Sequence, residues 1–175
     1  MRIIAGSRKG ARIFAPKGET RPTGDRVREA AFNLIGPVDE LAVLDLFAGS
    51  GAMGLEALSR GAETAVFVES DREAQRAIER NLEKLDLKGA RLVKSDARRA
   101  LAAEAAAGRR YDLVLVDPPY RMLDSLLPTL SKYLPALLAE DGLVVVETDK
   151  RTEPQLPLEQ RTSRTYGSAR LTLFE

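Results

Sequence analysis

The chain has 175 residues, 27 basic and 26 acidic, for a formal net charge of +1, with 44% apolar and 30% charged residues. That length and apolar content provide one buried core; no apolar run approaches the ~20 residues a bilayer span needs, and the N-terminus lacks a signal-peptide apolar region, which together point to a cytoplasmic protein. There is no Cys and no His, which excludes disulfides, thiolate nucleophiles, Cys-ligated zinc, imidazole acid–base chemistry and the Ser-His-Asp and Cys-His hydrolases.

The charge is unevenly placed. Residues 1–28 hold eight basic and two acidic residues, a local +6 against −5 for the rest of the chain. A basic arm on a mildly acidic body suits a polyanion held by one face, or else a merely solvated arm. Residues 2–5 and 11–14, joined through Gly6 and Gly10, read as a short hairpin. Residues 16–24 read as a loop. Asp25 then opens a helix with Val27, Ala30, Ala31, Leu34 and Ile35 at helical spacing, ended by Gly36 and Pro37.

From Leu41 the pattern alternates between strand and helix. Residues 41–46 form an apolar strand, followed by a Gly-rich turn and a helix through Leu58. Residues 64–69 are the second strand, and Ser70 with Glu73 reads as a capping box for a helix whose apolar face is Ala74, Ala77, Ile78, Leu82 and Leu85. Residues 90–94 are the third strand, 97–107 an Ala-rich helix and 111–116 the fourth strand. A helix over 123–138 contains Pro128 and Pro135, which are expected to break or kink it. Residues 143–147 are the fifth strand, and 160–166 with 169–174 flank Gly167-Ser168 as a closing hairpin. The alternation predicts a doubly wound, Rossmann-like α/β sheet with a short N-terminal β-hairpin and helix extension. Residues 1–37 are the expected extension and 38–175 the catalytic domain.

Two motifs carry chemistry. Gly49, Gly51 and Gly54 match G-x-G-x-x-G directly after the first strand, with Glu69 ending the next strand about 20 residues on. Glycines permit close backbone approach, a helix N-terminus adds unpaired donors, and Glu69 suits ribose hydroxyls. Asp45, just before the glycines, would repel a pyrophosphate but accept from an amino group. Asp96 can accept from an adenine amine with the Ala97 N–H bonding a ring nitrogen, or simply cap its helix. A nucleoside with an amine and no phosphate, such as S-adenosylmethionine, fits better than NAD.

The second motif is Asp117-Pro118-Pro119-Tyr120, at the end of the fourth strand. The prolines remove two N–H donors and fix the backbone. Asp117 and the Pro118 carbonyl then present acceptors beside the Tyr120 ring, a set that suits a planar group bearing an amine. In a doubly wound sheet the first and fourth strands adjoin at the switch in strand order, so the two motifs are expected to face each other.

Residues 2–6 (Arg-Ile-Ile-Ala-Gly), Arg21-Pro22-Thr23, Asp25-Arg26-Val27-Arg28-Glu29, Phe32-Asn33, Asp45 to Gly51, Gly54-Leu55-Glu56-Ala57 and Asp117-Pro118-Pro119-Tyr120 together resemble the RsmD family of bacterial 16S rRNA guanine-N2 methyltransferases. The resemblance covers nearly the whole chain, though its last third matches mainly in pattern. It implies a class I S-adenosylmethionine-dependent methyltransferase fold and methyl transfer to guanine 966 on a pre-assembled small-subunit particle. It places the cofactor on Asp45, Phe47, Ala48, Gly49, Ser50, Gly51, Glu69, Ser70, Asp96, Ala97 and Asp117. It places the target base on Asp117, Pro118 and Tyr120, with no metal. Arg8, Lys9, Arg12, Arg21, Arg26 and Arg28 are the candidate RNA contacts, or in part ion-pair partners of Glu29 or Asp25. The expected partner is 16S rRNA in the 30S subunit or its assembly intermediate, approached by a monomer, with ribosomal-protein contacts open. A DNA adenine-N6 methyltransferase would share the cofactor and Asp117 sites, but only about 40 residues lie outside the core to read sequence. A dehydrogenase would explain the glycines and Glu69 but not the Asp117 motif. A non-catalytic RNA-binding module would need no cofactor pocket.

Overall fold

The computed structural model describes residues 1–17 and 23–175. Along the chain run α1 (Asp25–Ile35), β1 (Ala42–Asp45), α2 (Ala52–Ser59), β2 (Thr64–Glu69), α3 (Arg72–Leu85), β3 (Ala90–Lys94), α4 (Ala97–Ala106), β4 (Tyr111–Val116), a 3₁₀ turn (Tyr120–Met122), α5 (Leu123–Leu137), β5 (Leu138–Asp149), β6 (Gln160–Tyr166) and β7 (Ala169–Phe174). Among the described residues seven strands form one sheet in the order β3-β2-β1-β4-β5-β7-β6. The first five pair in parallel, while β7 runs antiparallel between β5 and β6.

Side-chain alternation along the strands sends apolar residues to both faces. Val43, Leu113, Leu115 and Val145 meet Ala31, Phe32, Leu55, Leu58, Ile78 and Leu85 from α1, α2 and α3. Leu44, Leu46, Val114, Val116 and Val144 meet Ala100, Leu101, Leu126, Leu130 and Leu134 from α4 and α5. Each fully buried Leu or Val contributes about 1.5–3 kcal/mol relative to exposure. The sheet is therefore held rigidly from both sides, and strand ends can carry polar groups without loosening it.

Three local expectations need adjusting. α5 runs unbroken through Pro128 and Pro135. Both prolines are exposed, so the carbonyls they leave unpaired face solvent while Leu126, Leu130, Leu134 and Leu137 anchor the other side. The cap of α3 is Asp71, whose carboxylate accepts from Ala74 N at 2.9 Å, in place of a Ser70–Glu73 box. The N-terminal hairpin is present in minimal form, as one antiparallel bridge between Arg2 and Arg12. The reason is a competing acceptor: Ile4 N and Ala5 N donate to the buried Glu56 carboxylate at 2.8 and 2.9 Å, so the ladder cannot extend.

That carboxylate, 0% exposed, also receives Arg60 Nε at 2.8 Å and fixes the arm to α2. Ile3 and Ile13 are buried in the same core as Phe32, Leu55 and Leu58. Farther along, Asn81 on α3 clamps Phe14 through both backbone groups, at 2.6 and 2.9 Å, and donates to the Ser50 carbonyl at 2.9 Å. The arm is thus stitched to the loop between β1 and α2.

Candidate active site

Strand order reverses between β1 and β4, and that is where the two motifs meet. Asp45 pairs in register with Leu115, and Val116 with Val146. Asp117 therefore leaves β4 beside Glu147 on β5, with Asp45 on the strand across the switch. Each of the five parallel strands ends in or near a carboxylate: Asp45, Glu69, Asp96, Asp117 and Glu147. Among the described residues no Lys or Arg pairs with Asp45, Glu69, Asp117 or Glu147.

The turn after β1 is built by its glycines. Gly49 and Gly51 have φ of 55° and 82°, conformations that side chains with a Cβ adopt only with strain. A Cβ at Gly49 would meet nothing within 4 Å, whereas one at Gly54 would lie 2.4 Å from the Phe67 ring. Gly49 thus borders open space, and Gly54 lets α2 press against β2. Gly51 caps α2 at its N-terminal end, where the first-turn N–H groups lie.

Asp45 is 3% exposed and accepts from Gly54 N at 3.1 Å. Burial, with the charges of Asp117 and Glu69 adding to it against the Gly54 bond, raises its pKa to about 7. Glu69 accepts from Gly49 N and Ser70 N at 2.8 Å and from Asp71 N at 2.9 Å. Those bonds use three of about four lone-pair sites on the carboxylate, leaving room for one hydroxyl donor. Asp96 caps α4, accepting from Arg99 N at 3.1 Å through Oδ1. Its second oxygen lies 3.8 Å from Arg99 Nε. Ala97 behind it is buried, and Phe47 and Ala48 line the turn as half-buried and buried residues. Ser50 faces the arm, its hydroxyl 3.6 Å from Met1 Sδ.

Asp117 and Glu147 share one neighbour, the Thr23 hydroxyl, at 2.8 Å from Asp117 Oδ2 and 3.2 Å from Glu147 Oε2. Burial raises the pKa of both carboxyls, the charge of Asp117 raises Glu147 further, and the Thr23 bond opposes both shifts. Pro118 is buried, Pro119 accepts from Met122 N at 2.8 Å, and Tyr120 stands 51% exposed at the mouth.

Glu147 was absent from the residues singled out in the sequence. Its signal was the one Asp45 and Asp117 also carry, a carboxylate closing an apolar strand. Thr23 was visible only as part of a motif.

On the arm, Lys9, Arg12 and Arg26 are exposed. Arg2, Lys9 and Arg26 line an open groove of about 330 Å³ that also carries Asp25 and Glu29. Two arginines behave otherwise. Arg28 is 0% exposed, bonded to the Arg2 carbonyl and paired with Asp25 at 2.9 Å, so its guanidinium packs the arm and does not face an RNA. Arg8 is half-buried and donates to the Leu85 and Asp86 carbonyls at the end of α3. Arg21 lies outside the described residues.

A pH dependence follows from Asp45. Its folded pKa is raised, so the folded state keeps a proton that the unfolded chain releases. The contribution is fully present below the ordinary carboxylate range and is lost as pH rises through about 7. The free protein is expected to gain more melting temperature from Asp45→Asn at pH 8 than at pH 5. An equal gain at both, read by calorimetric melting, would contradict this assignment.

A sheet of this order, parallel through its first five strands, with a glycine turn and an acidic motif facing each other across its switch, defines a Rossmann-like methyltransferase fold. Solved S-adenosylmethionine-dependent methyltransferases less than 20% identical share that fold. The chain belongs to the RsmD family, whose match, described as conserved hypothetical protein 95, spans residues 1–175. It is 42% identical to the Bacillus subtilis protein YlbH, across 100% of this chain and 98% of that protein. It is 40% identical over 153 residues to the ribosomal RNA small subunit methyltransferase D of Escherichia coli K12, covering 85% of this chain and 75% of that protein. The solved Thermus thermophilus protein TTHA0928 superposes with a TM-score of 0.87 at 37% identity, covering 100% of this chain and 99% of that one. Among the described residues no helix is long and apolar enough to cross a membrane.

Proposed function

We propose that this protein transfers a methyl group from S-adenosylmethionine to the exocyclic N2 amine of a guanine in 16S rRNA, the family's guanine 966, on the small subunit or its assembly intermediate. The observation that carries the reading is the anionic well at the switch point. Asp45, Glu69 and Asp117 converge there without a cationic partner among the described residues, which suits a ligand bearing an ammonium and a sulfonium and opposes a pyrophosphate.

When bound, S-adenosylmethionine supplies an electrophilic methyl whose transfer to nitrogen leaves a neutral thioether and one surplus proton on the amine. Asp45 and the glycine turn receive the amino-acid end, Glu69 the ribose, and Asp96 with the Ala97 N–H the adenine. Phe47, Ala48, Ser50, Gly51 and Ser70 shape the walls.

The target guanine is turned out of its stack onto the Tyr120 ring. Asp117 and the Pro118 carbonyl accept from its N2 amine, favouring a pyramidal nitrogen with its lone pair presented for attack. Asp117 or water takes the proton. Positioning of this kind supplies about 7–11 kcal/mol of a barrier.

Residues 1–37 act as the RNA-binding extension of the catalytic domain, residues 38–175. Lys9, Arg12 and Arg26, joined by Arg2, bind phosphates, while Arg8 and Arg28 hold the arm in shape. Calorimetric titration is the test. S-adenosylhomocysteine should bind with 1:1 stoichiometry and NAD should give no heat. Binding of NAD alone would replace this reading with a dehydrogenase.

A further inference from the structure

Thr23 has one hydroxyl proton, yet its oxygen lies within bonding distance of two carboxylates, Asp117 at 2.8 Å and Glu147 at 3.2 Å. Two ionised carboxylates are acceptors only, so a single O–H cannot satisfy both. Two carboxylates that share one partner raise each other's cost of ionisation. A proton on one of the two would let both contacts be hydrogen bonds.

We infer that Glu147 holds that proton and donates it to Thr23 Oγ1, that Thr23 donates to Asp117, and that this chain keeps Asp117 ionised and fixed for the base amine. The assignment rests on the methyltransferase reading above only for the identity of that amine. Asp117 makes the shorter bond to Thr23, as an ionised acceptor should. That bond engages Oδ2, so one oxygen is anchored and Oδ1 remains for substrate. Glu147 stands one strand farther back, on β5. It is a positioning residue, acting through Thr23.

The surroundings support a neutral Glu147. On β7 its register partner is Leu171. Arg170 beside Leu171 directs its guanidinium to the Lys150 carbonyl, Glu153 and Ser163. On β4 the facing charge is Asp117, and on β1 Asp45 adds a further acidic group beyond it. No described cation offsets ionisation of Glu147. Its burial and the charge of Asp117 push the same way.

The arrangement separates a neutral isostere from a truncation. Glu147→Gln places an amide N–H where the acid proton stood and keeps the chain intact. Glu147→Ala leaves the Thr23 hydroxyl unoriented and is expected to lower kcat by about 10²-fold, the loss that follows from misplacing a reacting group. Thr23→Val should lose a similar amount, and adding Glu147→Ala to it should cost little more, because both act through one chain.

The decisive experiment is a carbon-13 NMR titration of side-chain carboxyls in the free protein, which needs no cofactor or RNA. The expected result is one Glu signal, absent in Glu147→Gln, that stays protonated at pH 7 while Asp117 is ionised. Alongside it, Glu147→Gln should keep most of the wild-type kcat at pH 7 and lose the decline that ionisation of Glu147 causes at alkaline pH. A Glu147 signal titrating in the ordinary carboxylate range overturns the inference, as does Glu147→Gln falling as far as Glu147→Ala. Absence of methyl transfer by the wild-type protein would count against the functional reading, with the NMR result still deciding the proton's place.

Discussion

Replacing Asp117 with Ala is expected to lower kcat for methyl transfer by about 10²–10³-fold while S-adenosylhomocysteine affinity stays within about tenfold. The basis is position. Asp117 emerges one residue past the β4–β5 register pair Val116–Val146, and Thr23 holds one of its oxygens at 2.8 Å. Its remaining acceptor and the buried Pro118 frame the space in front of the glycine turn. Removing the carboxylate removes an acceptor that matters at the reacting nitrogen and relieves one negative neighbour of Asp45. The cofactor's other holds, Asp45, Glu69 and Asp96, are untouched. Single-turnover kinetics beside calorimetric titration separates the two effects. Equal losses in both would move Asp117 into the cofactor site and contradict its role at the base.

Glu56→Ala should be the most damaging substitution away from the chemistry. The carboxylate is 0% exposed and receives Ile4 N, Ala5 N and Arg60 Nε. Truncation leaves two arm N–H groups and a guanidinium without their acceptor, a loss of about 2–4 kcal/mol. For a domain of this size the melting temperature should fall by about 2–4 °C per kcal/mol. Methyl transfer to 30S particles should fall further than cofactor affinity, because the arm that carries Arg2 and Lys9 is released while the glycine turn is retained. Differential scanning calorimetry checks the first effect. An unchanged melting temperature would mean that the arm is held by Ile3 and Ile13 packing alone.

The parallel strands and their acidic ends were legible because both signals are local. An apolar run of four to six residues announces a buried strand, and a carboxylate at its end stands out. Asp45, Glu69, Asp96, Asp117 and Glu147 all obey this rule. What stayed hidden depends on partners far along the chain. Glu56 bonds residues 51 and 52 positions away, and Asn81 bonds Phe14 across 67. Nothing in a helical pattern says that a Glu or Asn on it will turn inward to take a distant backbone.

The arm's arginines show the same limit. A count of basic residues treats Arg8, Arg26 and Arg28 alike, yet Arg26 is exposed while Arg28 is buried against Asp25 and Arg8 ties down α3. Charge density located the arm; tertiary contacts decided which charges face outward. The prolines of α5 failed as helix breakers for a related reason. Their effect depends on which side of the helix they occupy, and both stand on the solvent side.

The central claim is tested most directly by methyl transfer to 30S particles purified from a strain that lacks this gene. Tritiated S-adenosylmethionine supplies the label, and nuclease mapping with nucleoside analysis locates the product. The account predicts label as N2-methylguanine at one position of 16S rRNA, lost with Asp117→Ala. Label on DNA or protein with none on 30S particles would contradict the substrate while leaving the fold and cofactor site intact.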